Sequence, residues 1–235
     1  MKFGGTSLSP RHMAHLPPEY HHEIREDEFF GFKKAAEHVL REVEEGARPV
    51  VVVSAMGRKG CPYATDALLS LLEGLSSSMG MEAPPFLPRE KDLLLCCGEF
   101  ISAALMAQAL KFRGLDAVAL TGGQAGIITD ENFGSARILA VEPERLWRLV
   151  SEEEVVPVVA GFQGMTRKGD FTTIGRGGSD ITAVALGAAL KRFVDREGGE
   201  VWVDIYTDVE GVMTADPRIV GEAARVLPEV TYEEL

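Results

Sequence analysis

Two hydrophobic patterns alternate along this chain. Runs such as Val50-Val-Val-Val53 and Val155-Val-Pro-Val-Val-Ala160 are continuously apolar and rich in β-branched residues, as strands buried on both faces require. Between them, apolar residues recur every three to four positions, the period of a helix with one face turned inward. This pattern predicts a helix over 28–45 with Phe29, Phe32, Ala36, Val39, Leu40 and Val43 on one face. It then predicts a strand over 48–53 that breaks into the small-residue turn 54–57, a helix over 65–75, and the longest helix over 89–112. Strands follow over 115–120 and 155–160, with 127–129 and 135–141 as a hairpin or two short strands, and 201–206 as a last core strand. A short helix over 143–150 carries Pro143 in its first turn, and 181–190 reads as an apolar helix with Ser179 as its N-cap. Strands and helices that alternate in this way predict an α/β protein: a three-layer α/β/α sandwich with a mostly parallel central sheet, in a single domain over 1–235. Ligands of open α/β sheets bind at the carboxyl ends of the strands. The loops after residues 3, 53, 120, 160 and 206, and the one around 176, should therefore gather on one edge.

Composition narrows the function classes. At 235 residues, 46% hydrophobic and 26% charged, the chain suits a soluble globular protein with a sizeable core. Its net charge of −12 sets the overall field against nucleic acid and anionic membranes, so any phosphate must be captured by local loops. Cys61, Cys96 and Cys97 lack metal-ligand spacing, and neither a signal peptide nor an apolar run of membrane-span length is read, which favours a reduced, cytoplasmic setting. Residues 9–27 hold three prolines and His12, His15, His21 and His22 without a clean period; they read as a lid-like insertion in preference to a metal site.

Candidate chemistry sits in the turns. Thr172-Thr-Ile-Gly-Arg-Gly-Gly-Ser-Asp180 leads into an apolar helix, so unpaired N–H groups and the positive helix end point at one spot, and Arg176 adds a fork of donors for a carboxylate or phosphoryl oxygen. The same stretch also fits a tight turn between a strand and a core helix. Lys2-Phe-Gly-Gly-Thr-Ser7 places an ammonium beside flexible backbone N–H groups, a second anion site that is not a Walker A loop because the lysine precedes the glycines. Glu99 lies in an apolar helix among Leu93, Leu94, Leu95, Ile101 and Leu105, either facing solvent or as a partly buried carboxylate awaiting a cationic group. The loop 207–218, just past a strand, has the polar groups of a nucleotide pocket or of a solvated turn.

Taken together, Lys2-Phe-Gly-Gly-Thr-Ser7, Val53-Ser-Ala-Met-Gly57, Gly98-Glu99, Thr121-Gly-Gly-Gln-Ala-Gly126, Gly161-Phe-Gln-Gly164, Thr173-Ile-Gly-Arg-Gly-Gly-Ser-Asp180 and Tyr206-Thr-Asp-Val-Glu-Gly-Val-Met-Thr-Ala-Asp-Pro-Arg218 resemble the aspartokinases of the amino acid kinase superfamily, in order and spacing over nearly the whole chain. The resemblance implies transfer of the ATP γ-phosphoryl group, with Mg²⁺, to the side-chain carboxylate of L-aspartate, a first step towards lysine, threonine and methionine. By this resemblance Lys2 with Gly4, Gly5 and Thr6 would hold the transferring phosphoryl, Ser54 would sit near the same phosphates, and Asp180 would orient Lys2. Arg176 would pair with a substrate carboxylate and Glu99 with its α-ammonium, while Thr173, Phe162 and Ser179 would line the amino acid pocket and its junction with the phosphates. Thr207, Asp208, Gly211, Asp216 and Arg218 would frame the nucleotide, and a homodimer is consistent with the family. No protein metal ligands are assigned.

Three features depart from the family. Only Met1 precedes Lys2, the 9–27 segment has no counterpart, and the family's C-terminal ACT modules are absent from this chain. A non-catalytic nucleotide- or amino-acid-binding protein, and a superfamily kinase for another acid, remain as alternatives.

Overall fold

The valine run at 50–53 sets the architecture. The computed structural model describes residues 1–9, 29–57, 61–80, 87–207, 211, 213–215 and 217–231. The chain passes through β1 (Lys2–Phe3), α1 (Phe30–Glu44), β2 (Val51–Val53), α2 (Thr65–Ser78), α3 (Pro88–Phe112) and β3 (Ala117–Leu120). It continues through β4 (Ile127–Thr129), β5 (Ile138–Val141), α4 (Glu144–Ser151), β6 (Val156–Ala160), β7 (Gln163–Thr166), β8 (Phe171–Thr173), α5 (Gly178–Val194) and β9 (Ile205–Tyr206). Val51 and Val53 point into an apolar cluster with α1 and α3, and Val52 into a second one with α4 and α5. Alternate side chains of one strand thus serve two helical layers, which is why no polar residue interrupts the run.

The central sheet has five strands in the order β3-β6-β2-β1-β9, all parallel. Its register aligns Phe3 with Val53 and Tyr206, Val53 with Ala160, and Leu120 with Val159, so all five strands end on one edge. A second sheet, in the order β5-β4-β7-β8, joins β4 to β7 in parallel and pairs the rest antiparallel. The expected α/β/α sandwich is therefore present, with this smaller mixed sheet beside the strand ends.

Several local expectations need correction. The expected core strand over 201–206 pairs only at Ile205 and Tyr206, on the sheet's edge, because β1 offers just Lys2 and Phe3 as partners; Trp202 and Ile205 stay largely exposed. Ser179 is the second residue of α5 and not its cap. Gly177, at φ +71°, takes the cap position, and its carbonyl accepts the N–H groups of Asp180 and Ile181 at 2.9 and 3.0 Å. Pro143 precedes α4 by one residue, and Gln163 and Gly164, expected in a loop, enter strand β7. Helix α3 contains an 18-residue stretch with a mean hydropathy of 1.8, long and apolar enough to cross a membrane by length and composition, contrary to the expectation of no such run. Half of that stretch is buried within the fold, and the helix packs against β3, β6 and β8 and against α1 and α2, which accounts for its apolar character.

Candidate active site

The site is assembled where the aligned strand ends meet the first turn of α5. Lys2 lies on β1 with its side chain almost fully buried, and its Nζ stands 2.8 Å from Oδ1 of Asp180 on α5. That contact ties the first strand to the glycine loop. A Cβ placed on Gly4 would lie 3.5 Å from Lys2 Nζ and 3.9 Å from Thr6 Oγ1, so the ammonium folds back over its own turn.

The turn after β1 is stacked directly on the turn after β2. Any Cβ on Gly5 would collide with the Ala55 carbonyl oxygen, which makes glycine obligatory there. Gly57 donates its N–H to Gly5 O at 3.1 Å, and Ser9 Oγ donates to the same oxygen at 2.8 Å. The Gly4 N–H is used on Tyr206 O at 3.3 Å, but the N–H groups of Gly5, Thr6 and Ser7 make no hydrogen bond among the described residues. Successive free N–H groups beside a buried ammonium form a receptor for an anion. Ser54, half-buried, opens the neighbouring turn and donates its N–H to Phe3 O at 3.2 Å.

Glu99 forms the buried end of the site. It is 3% exposed; its Oε1 accepts the Ala55 N–H at 3.0 Å, and its Oε2 is buried without a partner among the described residues. Burial pushes its carboxyl up to about 8, a rise that the Ala55 N–H only partly offsets. A carboxyl in this state asks for a cation, which resolves the sequence's two alternatives in favour of the buried one. The neighbouring Cys96 thiol is pushed well up by burial and by the nearby Glu99 and Asp92 carboxylates, so it is not a nucleophile.

The glycine loop supplies the opposite charge. Arg176 is exposed and has no ion-pair partner among the described residues. Ser179 is buried against Gly161 at the end of β6, bringing α5 onto that strand. Phe162 holds the unusual φ of +69°, fixed by its N–H donated to Thr182 Oγ1 at 3.2 Å and its carbonyl accepting the Ile174 N–H at 2.8 Å. A bulky residue in left-handed backbone is strained, and such strain gathers at ligand sites. Thr173 is buried, and its hydroxyl donates to Asp92 Oδ1 at 3.0 Å. Thr207 lies exposed just after β9, and Gly211 is exposed beyond it. Asp208, Asp216 and the 10–27 part of the histidine-bearing segment fall outside the described residues, and the side chain of Arg218 is likewise not described.

Three buried polar residues complete the site. Asp92 precedes Glu99 by two helical turns on the same face of α3, a spacing that carries the signal in the sequence. Thr182 and Gln163 carry none, because each looks like an ordinary polar residue in an apolar element. Gln163 donates Nε2 to Ala160 O at 3.0 Å and leaves Oε1 buried without a partner among the described residues. The arrangement as a whole offers a buried acid for a cation, an exposed guanidinium for an anion, and an ammonium with free N–H groups for a phosphoryl group.

The comparisons with known proteins agree with this geometry. Aspartokinase 1 of Bacillus subtilis is 50% identical over 234 residues, covering 100% of this chain and 49% of that protein. The crystal structure of aspartate kinase from Synechocystis superposes with a TM-score of 0.64 at 37% identity, over 97% of this chain and 31% of the other. E. coli aspartokinase III in complex with aspartate and ADP superposes with a TM-score of 0.65 at 27% identity, over 96% of this chain and 52% of the other. The chain spans about half the length of the curated relatives it matches. The model of the amino acid kinase family matches residues 1–235, and with the parallel sheet and its converging loops in place, the chain belongs to that family.

Proposed function

We propose that this chain is the catalytic domain of an aspartate kinase, transferring the γ-phosphoryl group of ATP to the side-chain carboxylate of L-aspartate. The observation that carries the reading is Glu99: a buried carboxyl on α3 with one oxygen on the N–H of Ala55, in the turn after β2, and the other unpartnered among the described residues, beside the edge where β1 carries Lys2. A substrate with an ammonium and two carboxylates satisfies this set, since the ammonium meets Glu99, one carboxylate meets Arg176, and the other is left facing Lys2.

The chemistry needs little from the protein beyond position and charge. A carboxylate oxygen of aspartate attacks the γ-phosphorus, the bond from that phosphorus to the β,γ-bridging oxygen breaks, and ADP leaves with the electron pair. No base is required, because the attacking carboxylate is already ionised near neutral pH. Asp180 therefore acts by holding Lys2 in place, 2.8 Å away, while Lys2 and the N–H groups of Gly5 and Thr6 stabilise charge on the phosphoryl oxygens. Ser54 lies beside the same phosphates, and Thr207, Asp208, Gly211, Asp216 and Arg218 frame the nucleotide. Phe162 and Ser179 shape the wall between the two substrates. Among the described residues no three His, Cys, Asp or Glu side chains are grouped to hold a metal, so Mg²⁺ would enter on the nucleotide's phosphates and neutralise their charge.

ADP release measured over a panel of acceptors tests the reading. L-Aspartate should support turnover, while succinate, which lacks the ammonium, and N-acetyl-L-aspartate, in which it is blocked, should not. Turnover of succinate as fast as of aspartate would remove Glu99 from its role and point to a different acid.

A further inference from the structure

Asp92 is fully buried and not paired with any cation among the described residues. Both of its oxygens are in use: Oδ2 accepts the Thr173 N–H at 2.7 Å and the Gly134 N–H at 2.8 Å, and Oδ1 accepts the Thr173 hydroxyl at 3.0 Å. Thr173 ends β8, and Arg176 follows three residues later on the loop into α5. Gly134 belongs to the turn between β4 and β5, and the two loops touch: a Cβ on Gly175 would lie 3.8 Å from both Gly134 O and Ser135 Oγ. Ala136 closes the junction by donating its N–H to Thr173 O at 2.8 Å. A buried carboxylate is costly wherever an apolar residue would pack as well. At this point, however, an acceptor is required: one oxygen, Oδ2, takes a backbone N–H from each of two separate loops and so holds both against one helix.

We infer that Asp92 is a positioning residue that, from the helix bearing Glu99, fixes the loop carrying Arg176 and thereby sets the distance between the two charges that receive the substrate. Residues 92 and 99 lie two turns apart on one face of α3, so a rigid helix joins the acid that takes the ammonium to the acid that anchors the guanidinium loop. This inference rests on the aspartate-kinase reading for its kinetic arm only.

The test uses Asp92→Leu, which keeps roughly the volume but removes every acceptor, and Thr173→Val, which removes only the hydroxyl bond. Hydrogen exchange of the unliganded chain should show the amides of 174–178 exchanging about ten-fold faster or more in Asp92→Leu, with Thr173→Val intermediate, while the amides of α1 are unchanged. In steady-state kinetics, Asp92→Leu should raise the KM for aspartate about ten- to a hundred-fold, the range of a lost buried hydrogen bond, with the KM for ATP changed less than about two-fold. In an Arg176→Gln background the same change should add less than about two-fold, because the two residues act as one unit. Equal rises in both KM values, or an unchanged factor in the Arg176→Gln background, would reduce Asp92 to a structural staple. If Asp92→Leu does not fold, Thr173→Val carries both measurements. Absence of aspartate turnover in the parent chain would overturn the proposed function, and the exchange pattern would still decide whether Asp92 orders the loop.

Discussion

Raising the pH should tighten aspartate binding, because Glu99 must shed a proton to receive an ammonium. Its carboxyl is pushed up to about 8 by burial, which backbone N–H groups, the Ala55 N–H first among them, only partly offset. The unliganded site is therefore mostly protonated at neutral pH, and only the ionised fraction binds. The apparent KM scales as one plus the ratio of protonated to ionised Glu99, which falls from roughly 33 at pH 6.5 to roughly 1.3 at pH 8.5, a ~25-fold gain in affinity. The KM for ATP should stay level over the same window, since no group of the phosphate receptor is tied to Glu99. Glu99→Gln should flatten the aspartate profile and weaken binding by about 2–5 kcal/mol, the usual loss when one partner of a buried charge pair is removed. The sign for stability is opposite. An acid whose folded value is raised penalises the fold as pH climbs from its ordinary value of 4.5 towards 8, so the unliganded chain should lose stability across that interval and Glu99→Gln should not. Measuring both KM values at half-unit steps of pH, with the melting temperature alongside, checks all of this. A flat aspartate profile, or a parallel drift of the ATP value, would refute the proton-linked role of Glu99.

Arg176→Ala should raise the KM for aspartate about a hundred-fold and leave that for ATP nearly unchanged, because the guanidinium meets only the amino acid. Equal losses would move Arg176 to the phosphates. Gly5→Ala should abolish turnover while the chain still folds, since its Cβ meets the Ala55 carbonyl oxygen and must push the phosphate turn away from Lys2. Circular dichroism together with ADP release separates these two effects, and activity within about ten-fold of the parent would show that the turn can shift without harm.

Much of the architecture was legible in the chain because its signals are local. The valine run at 50–53 and the apolar run at 155–160 announce doubly covered strands, and once these are parallel, their loops must share an edge. Glu99 was legible as an acid out of place among leucines. What failed depended on distant partners. The segment 201–206 has the composition of a core strand, yet its pairing is limited by the two-residue β1, which is remote in sequence. Ser179 has the chemistry of a cap, but the left-handed Gly177 starts the helix earlier. The partner of the Thr173 hydroxyl, Asp92, lies 81 residues away, and the pairing has no local signal. Asp92, Thr182 and Gln163 serve the site through hydrogen bonds to backbone of other elements, and the identity of a side chain does not reveal which carbonyl or N–H it will meet.

The most direct test of the account is to trap the product. The chain, L-aspartate, ATP and Mg²⁺ are incubated with hydroxylamine, which converts an acyl phosphate to a coloured hydroxamate, with L-glutamate as the control acceptor and Lys2→Ala as the control protein. The account predicts hydroxamate from aspartate, little from glutamate, and a fall of about 10²–10³-fold in Lys2→Ala with the fold intact, the scale of losing one charge-stabilising donor in the transition state. No hydroxamate from aspartate although ATP binds, or an unchanged rate in Lys2→Ala, would contradict it.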